Sequence, residues 1–214
     1  MRRLGVIVCI CGVFAALAPA SLSDDRLAFA LVGIDARIGH DQVHSAGAVI
    51  DADNGLILTS AHTVWGATSL RLSTGVGVLH GRIVARAPCA DLAIVETEPR
   101  IPGLVALAGT ATPTGRLTPA RRTSGSPLID EADHIAGIRT RGGQVTRWPA
   151  VKRLLDRLQP DKQRVYVGWA DQYRCASTLQ AFATAHHPGF READAVLNRP
   201  VPATRLKGTR RLDR

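Results

Sequence analysis

Short apolar runs, separated by glycine and other turn residues, fill most of the chain before Trp148. The clearest pair is Gly47–Asp51 and Leu56–Thr59, which flank Asp53-Asn54-Gly55. Asn-Gly between two apolar runs is a strong hairpin signal. The other predicted strands are 27–34, 69–72, 81–85, 92–96 and 135–140. Several short strands at regular spacing with glycine turns are typical of a small β-barrel, so the pattern predicts a mostly β chain.

The pattern becomes helical at Trp148-Pro149. Four apolar residues then follow the i, i+3, i+4, i+7 spacing of a helix face, and Pro160 is expected to end this helix. They are Val151, Leu154, Leu155 and Leu158. A second helix is predicted to start at Ser177, where Ser177-Thr178-Leu179-Gln180 has the form of a capping box, and to close at 186–189.

The first segment has the order of a secretory signal peptide. A basic start, Met1-Arg2-Arg3, precedes an almost wholly apolar run from Leu4 to Ala18, and Ala18-Pro19-Ala20 is a small-residue cleavage pattern. We therefore expect residues 1–20 to be removed before Ser21, with an uncleaved membrane anchor as the alternative. Cleavage predicts a secreted or extracytoplasmic protein, in the periplasm or at the cell surface, without stable membrane insertion.

The composition and the distribution of charge are those of an ordinary globular protein and do not indicate a nucleic-acid-binding surface. The 214 residues are 45% hydrophobic and 21% charged, which is ordinary for a globular protein. The net charge of +9 lies mostly at the two ends, and residues 24–198 carry only +2 without a basic stripe. Nucleic acid is therefore not an expected partner. Residues 199–214 are basic and poor in apolar side chains, so we expect a loose tail.

Cysteine use agrees with export. Cys9 and Cys11 would leave with the signal peptide, and Cys89 and Cys175 would remain as an even pair in an oxidising compartment. The sequence predicts a Cys89–Cys175 disulfide. Two buried free thiols are the alternative.

Three short segments carry the candidate chemistry. They are Thr59-Ser60-Ala61-His62, Cys89-Ala90-Asp91-Leu92-Ala93-Ile94-Val95 and Thr123-Ser124-Gly125-Ser126-Pro127-Leu128. A serine hydroxyl is a poor nucleophile until an imidazole takes its proton, and the imidazole needs a carboxylate to hold its tautomer. Together, His62, Asp91 and Ser124 are the parts of a nucleophilic acyl-transfer site.

These segments, with the strands around them, resemble the trypsin-like (chymotrypsin-fold) serine peptidases. The resemblance runs from Gly47 to about Leu158 and is nearest to their bacterial exported branch of high-temperature-requirement type. It implies a chymotrypsin-like double β-barrel with an abbreviated second barrel, plus C-terminal helices. The expected organisation is a signal peptide at 1–20, a peptidase domain at 27–160, a C-terminal extension at 161–198 and the tail at 199–214.

The resemblance also implies roles for the residues. Ser124 would attack a peptide carbonyl, His62 would transfer the proton, and Asp91 would orient His62. By the family pattern, the backbone N–H groups of Arg122 and Ser124 would form the oxyanion hole. Ser126 is the rival nucleophile, but Pro127 follows it directly. The expected substrate is a protein or peptide, and neither a cofactor nor a metal is implied.

Two departures from the family pattern favour an alternative. Arg122 stands where the family nearly always has glycine. Asp91 and Ser124 are 33 residues apart, far fewer than in complete members, so strands of the second barrel are expected to be missing. The alternative is a catalytically inactive peptidase homologue that acts as an extracellular binding protein.

Overall fold

A computed structural model describes residues 24–156 and 169–190. The predicted signal peptide, the basic tail and the start of the C-terminal extension lie outside these residues. The elements in chain order are α1 (Asp24–Ala30), β1 (Leu31–Ile38), β2 (Asp41–Asp51), β3 (Leu56–Ser60), β4 (Ser69–Thr74), β5 (Gly77–Ala87), β6 (Leu92–Glu96), β7 (Thr118–Pro119), β8 (Pro127–Ile129), β9 (Ile135–Arg139), β10 (Val145–Arg147), α2 (Trp148–Leu155) and α3 (Trp169–His186).

The first six strands close into an antiparallel barrel in the order β1-β2-β3-β6-β5-β4. Alternate residues of β1 point into it, because successive side chains of a strand face opposite sides. These are Val32, Ile34, Ala36 and Ile38, all buried. The predicted hairpin is present, since β2 and β3 pair across the turn that contains Gly55 at φ +64°. The barrel is the frame on which His62 and Asp91 are placed.

The last four strands form an open sheet in the order β10-β9-β8-β7. Its strands are two to five residues long, so the expected abbreviation of the second barrel takes the form of a sheet that does not close. The fold prediction is confirmed: the chain is mostly β, with a closed six-stranded barrel, a second sheet and a few helices.

The strands β3 and β6 are buried on both faces. Ile57 and Val95 belong to the barrel core, whereas Leu58 and Ile94 pack with Ile138 of β9 in a second core that includes the first turns of α2. This second core holds the open sheet against the barrel. It also explains why 56–58 and 92–95 are continuous apolar runs instead of alternating ones.

The predicted strand at 27–34 is wrong in its first half. Residues 24–30 form α1, and β1 begins at Leu31. The misassigned residues Leu27-Ala28-Phe29-Ala30 include good helix formers, and their apolar run is too short for periodicity to separate a strand from a helix.

The predicted start of the second helix is also wrong, because α3 begins at Trp169 and Ser177 lies inside it. The hydroxyl of Thr178 donates to the carbonyl of Arg174 at 3.0 Å, one turn back in the helix. Hydroxyl residues can be accommodated inside a helix by such bonds, so a Ser-x-x-Gln sequence need not mark a helix start. The predicted close of the helix near His186 agrees with the structure.

Helix α3 is fixed to the barrel at three places. The Cys89–Cys175 disulfide is present, with the Cα atoms 5.1 Å apart. Trp65 Nε1 donates to Gln180 Oε1 at 3.1 Å, and His187 Nδ1 lies 3.0 Å from Asp41 Oδ2. Over the described parts of the chain, no helix is long and apolar enough to cross a membrane.

Candidate active site

His62 lies just beyond the end of β3, at the rim of the barrel. The N–H of Ala61 donates to the carbonyl of Asp91 at 3.0 Å, which ties this end of β3 to the residue before β6. The side chain of His62 is only 12% exposed. Its position is therefore set by the pairing of β3 with β6 and not by a flexible loop.

Asp91 ends a 3₁₀ turn, Pro88–Ala90, and has a left-handed backbone with φ 51° and ψ 43°. Its carboxylate accepts three hydrogen bonds. The His62 N–H donates to Oδ1 at 2.8 Å, His62 Nδ1 lies 2.7 Å from Oδ2, and the Arg141 N–H donates to Oδ2 at 2.9 Å. The turn thus directs the carboxylate at the Nδ1 edge of the imidazole, and both carboxylate oxygens accept hydrogen bonds.

The charge state of Asp91 follows from these contacts. Burial alone would raise the pKa of the Asp91 carboxyl, but the hydrogen bond and charge of His62 and the N–H groups of Arg141 and His62 outweigh it. The pKa of Asp91 therefore lies below its ordinary value, and the group is ionised at neutral pH. Because an ionised carboxylate only accepts hydrogen bonds, His62 Nδ1 carries a proton in either charge state of the ring, and in the neutral ring Nε2 keeps its lone pair.

The turn that carries Ser124 is docked on the same rim of the barrel. The Ala46 N–H donates to the Ser124 carbonyl at 2.9 Å, and the Gly125 N–H donates to the Arg139 carbonyl at 2.7 Å. Ala46 lies in the middle of β2, next to Gly47, which pairs with Thr59 near the end of β3. The turn is therefore anchored to the barrel a few residues from His62.

Ser124 itself is partly buried, and its hydroxyl makes no hydrogen bond within residues 24–156 and 169–190. The N–H groups of Arg122 and Ser124 likewise have no acceptor among those residues. The backbone of Arg122 has a negative φ, unlike the glycine conformations nearby. Nucleophile–base hydrogen bonds are often loose before substrate binds.

The rival nucleophile, Ser126, has a different environment. It is 0% exposed, and its hydroxyl accepts a hydrogen bond from the Arg121 N–H at 2.7 Å. Its backbone carbonyl accepts the Arg139 N–H at 2.9 Å. These contacts give Ser126 the role of closing the turn around Ser124.

Sequence reasoning missed two contributors to the site. One is Arg141, whose backbone N–H binds Asp91 from 50 positions away. The other is Thr59, whose buried hydroxyl donates to the Ala46 carbonyl at 2.7 Å and braces the rim under the Ser124 turn. The Arg141 bond is made by the backbone, so no residue type in the sequence indicates it. Thr59 lies in a predicted strand, and nothing in the sequence distinguishes it from the other strand residues.

No metal centre accompanies these residues. In the two described segments, no group of three or more His, Cys, Asp or Glu side chains is placed to hold a metal ion.

Sequence comparison finds no relative: no protein-family model and no curated protein matches the chain. Structural comparison does find similar proteins. A serine endoprotease from Yersinia pestis matches with a TM-score of 0.54 at 16% identity, over 64% of this chain and 66% of that one. A protease from M. tuberculosis, solved in its active form, matches with a TM-score of 0.49 at 18% identity, over 64% of this chain and 86% of that one.

The Yersinia match bears on the fold alone, because its identity is only 16%. The chain spans about two thirds (66%) of the length of that protein. The high-temperature-requirement branch stays a prediction, since no sequence match identifies it. Together, the barrel, the second sheet and the Yersinia match show that this chain has a chymotrypsin-like fold.

Proposed function

We propose that this chain is an exported serine endopeptidase, which hydrolyses peptide bonds through His62, Asp91 and Ser124 and an acyl-enzyme. The observation that carries the proposal is the pair of contacts from His62 to Asp91, 2.8 Å from the backbone N–H and 2.7 Å from Nδ1. One carboxylate holding both the backbone and the ring of one histidine fixes the ring's orientation and tautomer. That is the function of the carboxylate in a serine peptidase.

The proposed reaction follows from the protonation states. The Ser124 oxygen attacks the peptide carbonyl carbon as His62 Nε2 takes the hydroxyl proton. The resulting oxyanion accepts hydrogen bonds from the N–H groups of Arg122 and Ser124. The carbon–nitrogen bond then breaks, His62 protonates the leaving amine, and water releases the acid product by the same route. Asp91 stays ionised throughout and stabilises the imidazolium.

The wider organisation belongs to the same proposal. A signal peptide at 1–20 would export the chain, a peptidase domain at 27–160 would carry the site, and the extension at 161–198 would precede the tail at 199–214. The Cys89–Cys175 disulfide supports an extracytoplasmic location, because such bonds persist in oxidising compartments. No nucleic-acid partner is proposed.

A fluorophosphonate probe tests the proposal, because it reacts with activated serines and needs no knowledge of the substrate. We expect the full-length exported protein to be labelled, and Ser124→Ala and His62→Ala to abolish labelling. The matched control is Thr123→Ala, which removes an exposed hydroxyl from the same turn and should keep the label. Absence of labelling in protein shown by circular dichroism to be folded would contradict the proposal.

The inactive binding protein is retained as the second candidate, because three observations favour it. The Ser124 hydroxyl makes no hydrogen bond within the described residues, and the turn before it carries Arg122 with a negative φ. A second sheet of short strands also provides less surface to form one side of a substrate cleft. Folded protein that binds peptides but never reacts with the probe is the result that this candidate predicts.

A further inference from the structure

A pocket of about 210 Å³ opens beside Asp91. One side is the 3₁₀ turn that presents Asp91, the second is the turn after β9, with Thr140, Arg141 and Gln144, and the third is α3, with Thr178 and Leu179. Drug-sized ligand sites measure about 300–1,000 Å³, so this volume suits one side chain better than a whole small molecule. Because Asp91 lines the pocket and binds His62, the pocket adjoins the candidate active site.

The cationic side chain among the lining residues of this pocket is Arg141, which can bind a negatively charged occupant. Asp91 is the carboxylate among its lining residues, and both its oxygens already accept N–H groups. The Arg141 backbone is used in one of those bonds, but its side chain is exposed and makes no ion pair with any described residue. Its guanidinium is thus available to a ligand, and guanidinium groups bind carboxylates through two parallel hydrogen bonds.

The stretch of chain that contains Arg141 is rich in arginine. Between positions 116 and 147 the chain has six arginines and three acidic residues. Asp130 is buried against backbone N–H groups, and Glu131 accepts the Arg116 N–H. The arginines of this stretch are Arg116, Arg121, Arg122, Arg139, Arg141 and Arg147. Arg122 precedes Ser124 by two positions, and the Arg139 backbone is bonded to Gly125 and Ser126, the two residues after Ser124.

Helix α3 forms a side of the pocket that the short strands of the second sheet do not provide. The disulfide joins Cys175 of α3 to Cys89, and both cysteines line the pocket. Leu179 is 5% exposed and belongs to the barrel core, so this face of the helix is fixed. The pocket therefore has a rigid outer side built from the C-terminal extension.

We propose that this pocket selects substrates with an acidic side chain near the scissile bond. Arg141 is the cation that binds the carboxylate, and α3 is the wall that closes the subsite. The proposal rests on the proposed peptidase function and names the substrate class of that site. It makes Arg141 a specificity residue: its backbone positions Asp91, and its side chain contacts the substrate.

The test measures peptide binding, so that it does not depend on catalysis. The Ser124→Ala protein is titrated into fluorescent hexapeptide pools that are made in matched pairs. The two pools of a pair have either Glu or Gln at one fixed position, and each of the six positions is fixed in turn. We expect at least one Glu position to bind about 10- to 100-fold more tightly than its Gln counterpart, as for a charge-assisted contact. Arg141→Gln, which keeps the backbone N–H to Asp91, should remove that preference, and Arg141→Lys should keep part of it.

The matched control is Arg147→Gln, an exposed arginine on β10 that does not line the pocket, and it should leave the preference intact. Equal binding of the Glu and Gln pools, or equal losses in the Arg141 and Arg147 variants, would overturn the proposal. Failure of the peptidase function has a different signature, which is absence of fluorophosphonate labelling in the wild-type protein. A preference for Glu in protein that does not react with the fluorophosphonate would support the subsite for acidic side chains and contradict the peptidase function.

Discussion

At the scale of single residues, Asp91 combines a chemical and a conformational requirement. Its carboxylate accepts two N–H groups of His62 and one of Arg141, and its backbone lies in the left-handed region at φ 51°. Most residues avoid this region, but Asp and Asn adopt it several-fold more readily. Asn can therefore replace Asp91 with little change of shape, which makes the charge testable separately from the turn.

Asp91→Asn should leave the fold intact and slow the reaction of Ser124. The amide cannot serve as a charged acceptor for both N–H groups of His62, so the ring loses its fixed tautomer. In the template serine-peptidase triad this change lowers kcat by about 10⁴-fold. We expect a loss on the order of 10³- to 10⁴-fold in the rate of fluorophosphonate labelling, with the near-ultraviolet circular dichroism unchanged. A variant that labels at the wild-type rate would remove Asp91 from the mechanism.

At the scale of elements, the turn 123–126 is held in place by contact with the barrel. Gly125 has φ +80°, and a Cβ atom there would overlap the Ala46 carbonyl oxygen and the Thr59 hydroxyl. Glycine is thus required both for its conformation and for the close approach of the turn to β2.

Gly125→Ala is expected to push the turn off the rim and break the Ala46-to-Ser124 hydrogen bond. Labelling should fall at least about 100-fold, because misplacement by about 1 Å has effects of that size. The barrel should still form, so the unfolding midpoint in urea should fall only modestly. Gly142→Ala is the matched control: it has a similar φ of +69° but nothing within 4 Å of a Cβ atom. If the two variants had equal effects, the loss would come from backbone strain at a positive φ and not from the contact of the turn with β2.

The loop between β8 and β9 is organised by Asp130. Its buried carboxylate accepts the N–H groups of Thr114, Ala132 and His134 at 3.0, 3.0 and 2.8 Å. Burial alone would raise the pKa of Asp130, but the three N–H groups and the charge of His134 outweigh it, so its pKa lies below the ordinary value. A single side chain therefore holds together the loop that joins β8 to β9 and the segment before β7.

The lowered pKa gives a stability prediction with a definite sign. The ionised carboxylate stabilises the fold above the unfolded-state pKa of about 3.9, and this stabilisation is lost as the pH falls through the lower folded-state value. Asp130→Asn should cost roughly 2–3 kcal/mol at pH 7, and the difference from wild type should shrink at pH 3. Urea unfolding at both pH values measures it. The control is Asp156→Asn, an exposed partner of Lys152; a difference for Asp130→Asn that does not change with pH would contradict the assignment.

At the scale of the whole molecule, the sequence predicts the strands and turns that have local signals, but not the contacts between distant segments. The hairpin at Asp53-Asn54-Gly55 and the strands next to His62 and Asp91 have strong local signals, and the structure contains them. The Arg141 contact with Asp91 and the α3 wall join segments tens of residues apart, through a backbone group and through packing. The α1–β1 boundary and the start of α3 were misjudged because short apolar runs and hydroxyl residues fit more than one element.

The disulfide links the turn before β6 to helix α3, across 86 positions. Replacing both cysteines, Cys89→Ser with Cys175→Ser, should lower the free energy of unfolding by about 2–5 kcal/mol, since the unfolded chain regains the entropy of a long loop. Urea denaturation of the oxidised wild-type and double-variant proteins measures the loss, and wild type reduced with dithiothreitol should resemble the variant. An unchanged midpoint would show that the other contacts of α3 hold it without the bond.

The central claim is that folding brings the Ser124 hydroxyl, the His62 imidazole and the Asp91 carboxylate into one reactive unit. The most direct measurement is peptide mapping by mass spectrometry of the protein after reaction with a fluorophosphonate, with fragmentation to assign the modified residue. We predict one adduct, on Ser124, that is missing from the His62→Ala protein. An adduct on Ser126, an adduct that persists without His62, or no adduct on the folded protein would contradict the account.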